Sequence, residues 1–221
     1  DTPMAPVIEP KLALALAGAR TTRLKLGTNV VVAGRNPMLL AKELAHLDRL
    51  TDGRLLLAFM PGIGSAKERA ALGTTGMDRT TRVEKMIELC RAWWAGEAVT
   101  AELGGWSYDA ITVGPPPVQD PLEIWLGGNG PRALQLTGTH ADGWLGSRAT
   151  PAEAQANVVT ILAAAEEAGR SIDDDHFGIS IPYSRVPLDD KVIANLMRKT
   201  EADRADILPY GEVELASLLE R

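Results

Sequence analysis

Leu122-Glu123-Ile124-Trp125-Leu126-Gly127-Gly128-Asn129-Gly130-Pro131-Arg132-Ala133-Leu134 is the stretch whose reading decides the fold. Its first half is a short apolar run rich in strand formers. Two glycines, an Asn and a third glycine follow, and then a Pro that opens a helical pattern. Pro suits a first helical position, because its missing N–H would have no intrahelical partner there. A strand that turns on glycine into a helix N-terminus aims several backbone N–H groups at one spot, which suits a phosphate. An ordinary βα turn of an α/β domain has the same outline, and Gly-Gly alone does not distinguish the two. The surrounding chain has to decide.

The composition narrows the choice. A chain of 221 residues is long enough for one full-sized core and short for two. Hydrophobic residues at 45% and charged residues at 24% fit a soluble globular protein. A net charge of −6, with no Lys/Arg-rich run, argues against a nucleic-acid partner. The single cysteine, Cys90, excludes a disulfide framework and a Cys-built metal site, and it fits a reducing cytoplasm. No apolar run reaches membrane-spanning length, and nothing at the N-terminus resembles a secretory signal. The first residue is Asp1 rather than Met, so the chain is read as processed or as part of a longer protein.

Taken in order, residues 12–19 read as an Ala/Leu helix and residues 23–32 as a strand. The nearly continuous apolar run of that strand suits burial on both faces. Asn36-Pro37 starts a helix that continues through Leu39, Leu40, Leu44, Leu47 and Leu50, until Thr51-Asp52-Gly53 ends it. Residues 54–60 form a second strand, closed by Pro61-Gly62-Ile63-Gly64. A long amphipathic helix over residues 80–95 places Val83, Met86, Ile87, Leu89, Cys90 and Trp93 on or near one face. Residues 99–113 read as a hairpin excursion around Gly104-Gly105. The strand at Leu122 follows Pro115-Pro116-Pro117. Further on come a helix over 131–140, a short strand over 142–146, a helix capped by Thr150-Pro151 and a strand over 177–182. The remainder carries no strong strand: helical pieces are read at 189–199, inside an otherwise irregular stretch over 186–211, and at 212–220. Five strands alternating with helices imply a parallel sheet with helices outside. An open doubly wound sheet and an eightfold βα barrel both satisfy that alternation.

Several stretches together resemble the luciferase-like monooxygenase family, and within it the branch that uses the deazaflavin coenzyme F420. They are Thr21-Thr22-Arg23-Leu24-Lys25-Leu26-Gly27-Thr28, Arg35-Asn36-Pro37, and Leu47-Asp48-Arg49-Leu50-Thr51-Asp52-Gly53-Arg54. Pro117-Val118-Gln119-Asp120-Pro121, Ile124-Trp125-Leu126-Gly127-Gly128-Asn129 and Ala141-Asp142-Gly143-Trp144-Leu145 complete the set. The resemblance implies a TIM (β/α)8 barrel of the bacterial luciferase type, with this chain covering roughly strands 3 to 7. It implies one partial barrel domain over 1–221, with a hairpin insertion at 99–113 and an irregular one at 186–211. The strands absent on this mapping would leave an edge to be completed by further residues or by a second subunit.

The same resemblance implies an oxidoreductase that moves hydride to or from a small organic substrate and works as a homo-oligomer, with a dimer as the expectation. Coenzyme F420 is the implied cofactor, and FMN with a monooxygenase reaction is the alternative. A non-catalytic relative or fragment with a binding role is the other class. Gly127, Gly128, Asn129 and Gly130 are the implied phosphate turn, where glycine lets the backbone come close. Gly62 and Gly64 lie in another loop at a strand's carboxyl end, the face on which barrels build their sites. Asn29 and Val30 align with a position where the family carries a non-proline cis peptide behind the coenzyme ring. No catalytic acid or base is assigned, and no metal is expected. Asp142 is read as tying a turn, Trp144 as packing, His46 and His140 as packing or capping residues, and Glu68 as either a polar contact or a solvated helix-start carboxylate. The run Asp173-Asp174-Asp175 before His176 is read as a solvated turn. Arg185 is read either as facing the site or as a surface residue.

Overall fold

The computed structural model describes residues 8–62, 65–74, 76, 78–197, 203–209 and 211–220. The elements, in chain order, are α1 (Pro10–Gly18), β1 (Leu26–Val31), α2 (Pro37–Leu50), β2 (Leu55–Met60), α3 (Ala66–Ala71) and α4 (Arg79–Trp94). They continue with β3 (Val99–Leu103), β4 (Trp106–Ile111), β5 (Ile124–Gly127), α5 (Pro131–His140), β6 (Gly143–Ser147) and α6 (Pro151–Glu167). The last are β7 (Phe177–Ser180), α7 (Asp190–Met197), α8 (Arg204–Ile207) and α9 (Gly211–Leu219). These residues fall into two compact units, one holding residues 1–126 and 140–143, the other residues 127–139 and 144–221.

In the first unit β1 runs parallel to β2, with Leu26 opposite Leu55 and Val31 opposite Met60. β2 runs parallel to β5, with Leu57 opposite Ile124 and Phe59 opposite Leu126. Helices start where the sequence supplies an acceptor for otherwise unpaired N–H groups. Asn36 caps α2 by accepting from Leu39 N, and Asp78 caps α4 by accepting from Thr81 N. The expected face of α4 is buried at Val83, Met86, Ile87, Leu89, Cys90 and Trp93. β3 and β4 form the expected hairpin, antiparallel, and it is tied back to α4. The Trp93 ring meets Tyr108 edge to face with centroids 5.1 Å apart, and its Nε1 donates to Ile111 O.

Two carboxylates, one buried and one half-buried, organise the connections. Asp48, fully buried, accepts from Val118 N, Gln119 N and Gln119 Nε2, which fixes the proline-rich approach to β5. Asp142 accepts from Ile124 N at 2.8 Å and from Arg91 Nη2 at 2.7 Å, so these bonds tie β5 to α4 rather than a local turn. Arg54 acts as a clamp of the planar, many-donor kind that only Arg can supply. It donates to Thr51 O, Thr21 Oγ1, Leu24 O and Gly18 O.

In the second unit β6 runs parallel to β7, with Trp144 opposite Phe177. Leu134, Trp144, Ile161, Ala165 and Ile172 form its core. Thr150 and Glu153 make a reciprocal capping box on α6. α5 and α6 meet at Gly138, where a Cβ would lie 2.5 Å from Ile161 O.

Four expectations change. β1 starts at Leu26 rather than Arg23, because Leu24 is exposed and its carbonyl is taken by Arg54. Burial on both faces does not hold among the described residues. Gly27 and Asn29 are exposed in β1 and Leu56 in β2, whereas Leu26, Thr28 and Val30 are buried. The stretch 186–211 holds, besides α7 on the expected helical piece at 189–199, the unexpected short helix α8, with residues 198–202 and 210 outside the described set. Cis peptides among the described residues precede Pro115 and Pro121 only, so the Asn29–Val30 peptide is trans. The reason is visible in the ladder: β1 keeps regular parallel register through Asn29 and Val30 against Ala58 and Phe59, without a bulge.

Candidate functional site

The turn between β5 and α5 is built from backbone. Gly127 is buried, while Gly128, Asn129 and Gly130 are exposed. Gly128 has φ +112°, a region that only glycine enters freely, and a Cβ there would come within 3.1 Å of Ala133 Cβ. Two hydrogen bonds pin the turn from β6. Trp144 Nε1 donates to Gly128 O at 3.0 Å, and Asn129 Nδ2 donates to Ser147 O at 2.7 Å. Trp144 therefore does more than pack; its indole N–H holds the turn. Gly146 allows this by lying flat against the same ring, where a Cβ would meet Trp144 Cη2 at 2.3 Å.

Gly130 stands before Pro131 and its carbonyl accepts from Ala133 N and Leu134 N. It has no side chain with which to cap α5. α2, α4 and α6 each have an Asn, Asp or Thr accepting at that place. Ala133 N and Leu134 N are thus engaged by Gly130 O, and the start of α5 offers an outside acceptor the positive end of the helix dipole beside the turn's own backbone. What this arrangement can do chemically is take an anionic oxygen on backbone donors, with glycine leaving room for it.

The other expected residues lie in the first unit. Gly62, at the carboxyl end of β2, has φ +84° and its carbonyl accepts from Arg79 Nη1 at 3.1 Å. Gly64 lies outside the described residues. Asn29 is exposed on β1, and the Val30 side chain is fully buried, so any contact from Val30 to a ligand would have to come from its backbone.

Beside Gly62 lies a pair of buried polar groups, of which the sequence reading singled out Glu68 but not Arg82. Glu68 is only 3% exposed, so it is not a solvated helix-start carboxylate, and Arg82 is 6% exposed. They share a cavity of about 10 Å³ with Pro61 and Thr74, room for about one water molecule. Burial lowers the pKa of the Arg82 guanidinium. Ser65, whose Oγ accepts from Glu68 N, was the available signal: a cap three residues before a Glu marks a helix start. Arg185 is exposed. His46 is half-buried.

Parallel strands joined through helices, with a glycine turn leading into a helix at a strand's carboxyl end, define an α/β protein with a candidate anion-binding turn. The comparison with known proteins is more specific. The family model for luciferase-like monooxygenases matches residues 2–206, and the chain belongs to that family. It is 30% identical over 168 residues to an F420-dependent glucose-6-phosphate dehydrogenase of Nakamurella multipartita, covering 73% of this chain and 49% of that protein. It is 32% identical over 160 residues to a phthiodiolone/phenolphthiodiolone dimycocerosates ketoreductase of Mycobacterium kansasii, covering 70% of this chain and 43% of the other. The chain thus spans about half the length of the curated relatives it matches.

Among solved structures, the monooxygenase RslO1 of Streptomyces bottropensis superposes with a TM-score of 0.70 at 25% identity, over 85% of this chain and 58% of that one. An F420-dependent secondary alcohol dehydrogenase in complex with an F420-acetone adduct gives 0.71 at 20% identity, over 98% and 68%. The fold is accordingly the luciferase-like barrel type rather than a doubly wound sheet.

Proposed function

We propose that this chain carries the phosphate-binding part of an oxidoreductase that holds coenzyme F420 and passes hydride to or from a small organic substrate. The observation that carries the reading is the Gly128 turn: a positive φ, a Cβ that would crowd Ala133 at 3.1 Å, and a glycine where α2, α4 and α6 have a capping side chain. The family match and the F420-dependent relatives support the identity of the coenzyme. When bound, the deazaflavin supplies the hydride chemistry itself.

The chain's own residues bind and orient. The N–H groups around Gly128, Asn129 and Gly130 take the coenzyme phosphate, and Trp144 and Ser147 keep that turn in place. Asn29 and Gly62, exposed and half-buried at or near strand carboxyl ends, are the further contacts proposed in the first unit. FMN is the second reading, because a phosphate turn serves either coenzyme and a structural neighbour at 18% identity is a monooxygenase in complex with FMN.

Equilibrium titration of the purified chain with F420 and with FMN, followed by coenzyme fluorescence, tests the proposal. Saturable binding of F420, at least tenfold tighter than FMN, is expected. Tighter FMN binding would replace the coenzyme, and binding of neither would favour a non-catalytic role.

A further inference from the structure

We propose that Glu84, Glu88 and His140 form a binding site for a divalent transition-metal ion of the Zn2+ class. All three belong to the first unit. Glu84 and Glu88 are four residues apart on α4, a spacing that places both side chains on one helix face. His140 ends α5, and its Nε2 lies 3.9 Å from Glu84 Oε1 and 3.9 Å from Glu88 Oε1. One ligand atom from each residue lies within 4.8 Å of the other two.

The spacing suits a cation shared by the three groups, whether the proton of an ion pair or a metal ion in its place. A distance of 3.9 Å is too long for a hydrogen bond. One imidazole nitrogen carries a single proton and cannot serve two carboxylate oxygens equally, whereas a cation placed among the three can. Zinc bonds to imidazole nitrogen and carboxylate oxygen of about 2.0–2.2 Å put tetrahedral ligands about 3.4 Å apart. The two His–Glu spacings therefore need to close by about half an ångström, and the Glu84–Glu88 spacing, bounded at 4.8 Å, by at most about 1.4 Å, through side-chain rotation. The three side chains are 29–40% exposed, so an ion can enter and water can complete its coordination.

Charge balance favours the same conclusion. Two carboxylates four residues apart on a helix repel each other. Lys85 answers only part of this, because its Nζ binds Glu88 Oε2 at 2.6 Å and leaves Oε1 directed at His140. His140 is also the last residue of α5, where the helix dipole favours a cation. A mixed imidazole–carboxylate set suits Zn2+, Co2+ or Ni2+ better than Mg2+ or Ca2+, which prefer oxygen alone.

A second cluster, Asp173, Asp175 and His176, lies within a single short turn, with both carboxylates exposed. It provides an internal control.

The test does not depend on the coenzyme. The chain, freed of metal with a chelator, is titrated with Zn2+ by calorimetry and with Co2+ by visible absorption. One equivalent of Zn2+ is expected, with a Co2+ spectrum of four-coordinate type. His140→Gln, and separately Glu84→Gln with Glu88→Gln, should weaken uptake at least tenfold while the metal-free melting curves match the parent. Lys85→Met, which removes the competing cation, should tighten it. Asp173→Asn with Asp175→Asn should leave it unchanged. Equal affinity in the His140 and Glu84/Glu88 variants, loss only in the Asp173/Asp175 variant, or no stoichiometric uptake by the parent would overturn the assignment. If His140→Gln fails to fold, the paired glutamine variant on α4 decides alone.

Discussion

Asp48→Asn removes one charge from a fully buried carboxylate of the first unit that accepts three hydrogen bonds, and its cost follows from the geometry. Oδ2 accepts from Val118 N at 2.8 Å and Gln119 N at 2.9 Å, and Oδ1 accepts from Gln119 Nε2 at 2.6 Å. An Asn can keep the two backbone bonds with its carbonyl oxygen, but its NH2 then faces the Gln119 NH2, donor against donor. Turning the Gln119 amide relieves that contact and forfeits its bond to Leu55 O at 3.0 Å. One buried polar contact is lost either way, at about 1–3 kcal/mol. The surviving bonds also lose charge assistance, and the lower cost of burying a neutral amide offsets part of that. A net destabilisation of about 2–3 kcal/mol is expected. Urea unfolding followed by tryptophan emission measures it, and a double-mutant cycle with Gln119→Ala should show a coupling of about 1–2 kcal/mol. A change below about 0.5 kcal/mol, or no coupling, would refute the account.

The remaining expectations concern the turn, the thiol and the acid limb of stability. Gly128→Val should weaken coenzyme binding at least tenfold and also lower the melting temperature, since L-residues are strained at φ +112°. Gly130→Ala, whose Cβ would have nothing within 4 Å, should leave the melting temperature nearly unchanged, so it reads anion contact without strain. Cys90 is fully buried and burial pushes its thiol pKa up, so a thiol reagent at pH 8 should label the native chain far more slowly than the urea-unfolded one. Equal rates would show that α4 opens readily. Burial pushes the Glu9 carboxyl up, but hydrogen bonding from Leu12 N and the nearby Lys11 and Arg35 outweigh it, so its pKa is lowered. A folded-state pKa below the unfolded one contributes stability above the ordinary carboxylate range, and that contribution is lost as pH falls through the folded value. Glu9→Gln should therefore lower stability slightly at pH 7 and flatten its fall below pH ~4, as measured by melting temperature against pH.

The parts of the fold carried by local chemistry were legible in the sequence. Asn36-Pro37 and Thr150-Pro151 announce helices because a side-chain acceptor and a missing N–H act within one turn. The Gly127–Pro131 junction is equally local. What escaped depends on distant partners. Leu24 looks like part of a strand until Arg54 claims its carbonyl. Glu68 looks solvated until the loops around it close. His140 lies more than fifty residues beyond Glu84 and Glu88, so no periodicity joins them. The exposed face at Gly27, Asn29 and Leu56 is hidden by an apolar run, because hydropathy does not say which side of a strand is covered.

The bond from the Trp144 indole to Gly128 O gives the turn an optical reporter of its own. Indole emission responds to the polarity and charge near its N–H, and this ring is 1% exposed, so solvent contributes little to the signal. An anion settling on the turn would change the field at that N–H and shift the emission, whether or not the anion absorbs light. The chain has five tryptophans, and comparing it with Trp144→Phe would isolate the one that watches the turn. Inorganic phosphate, which is colourless and lacks the rest of a coenzyme, would then separate recognition of the anion from recognition of the ring.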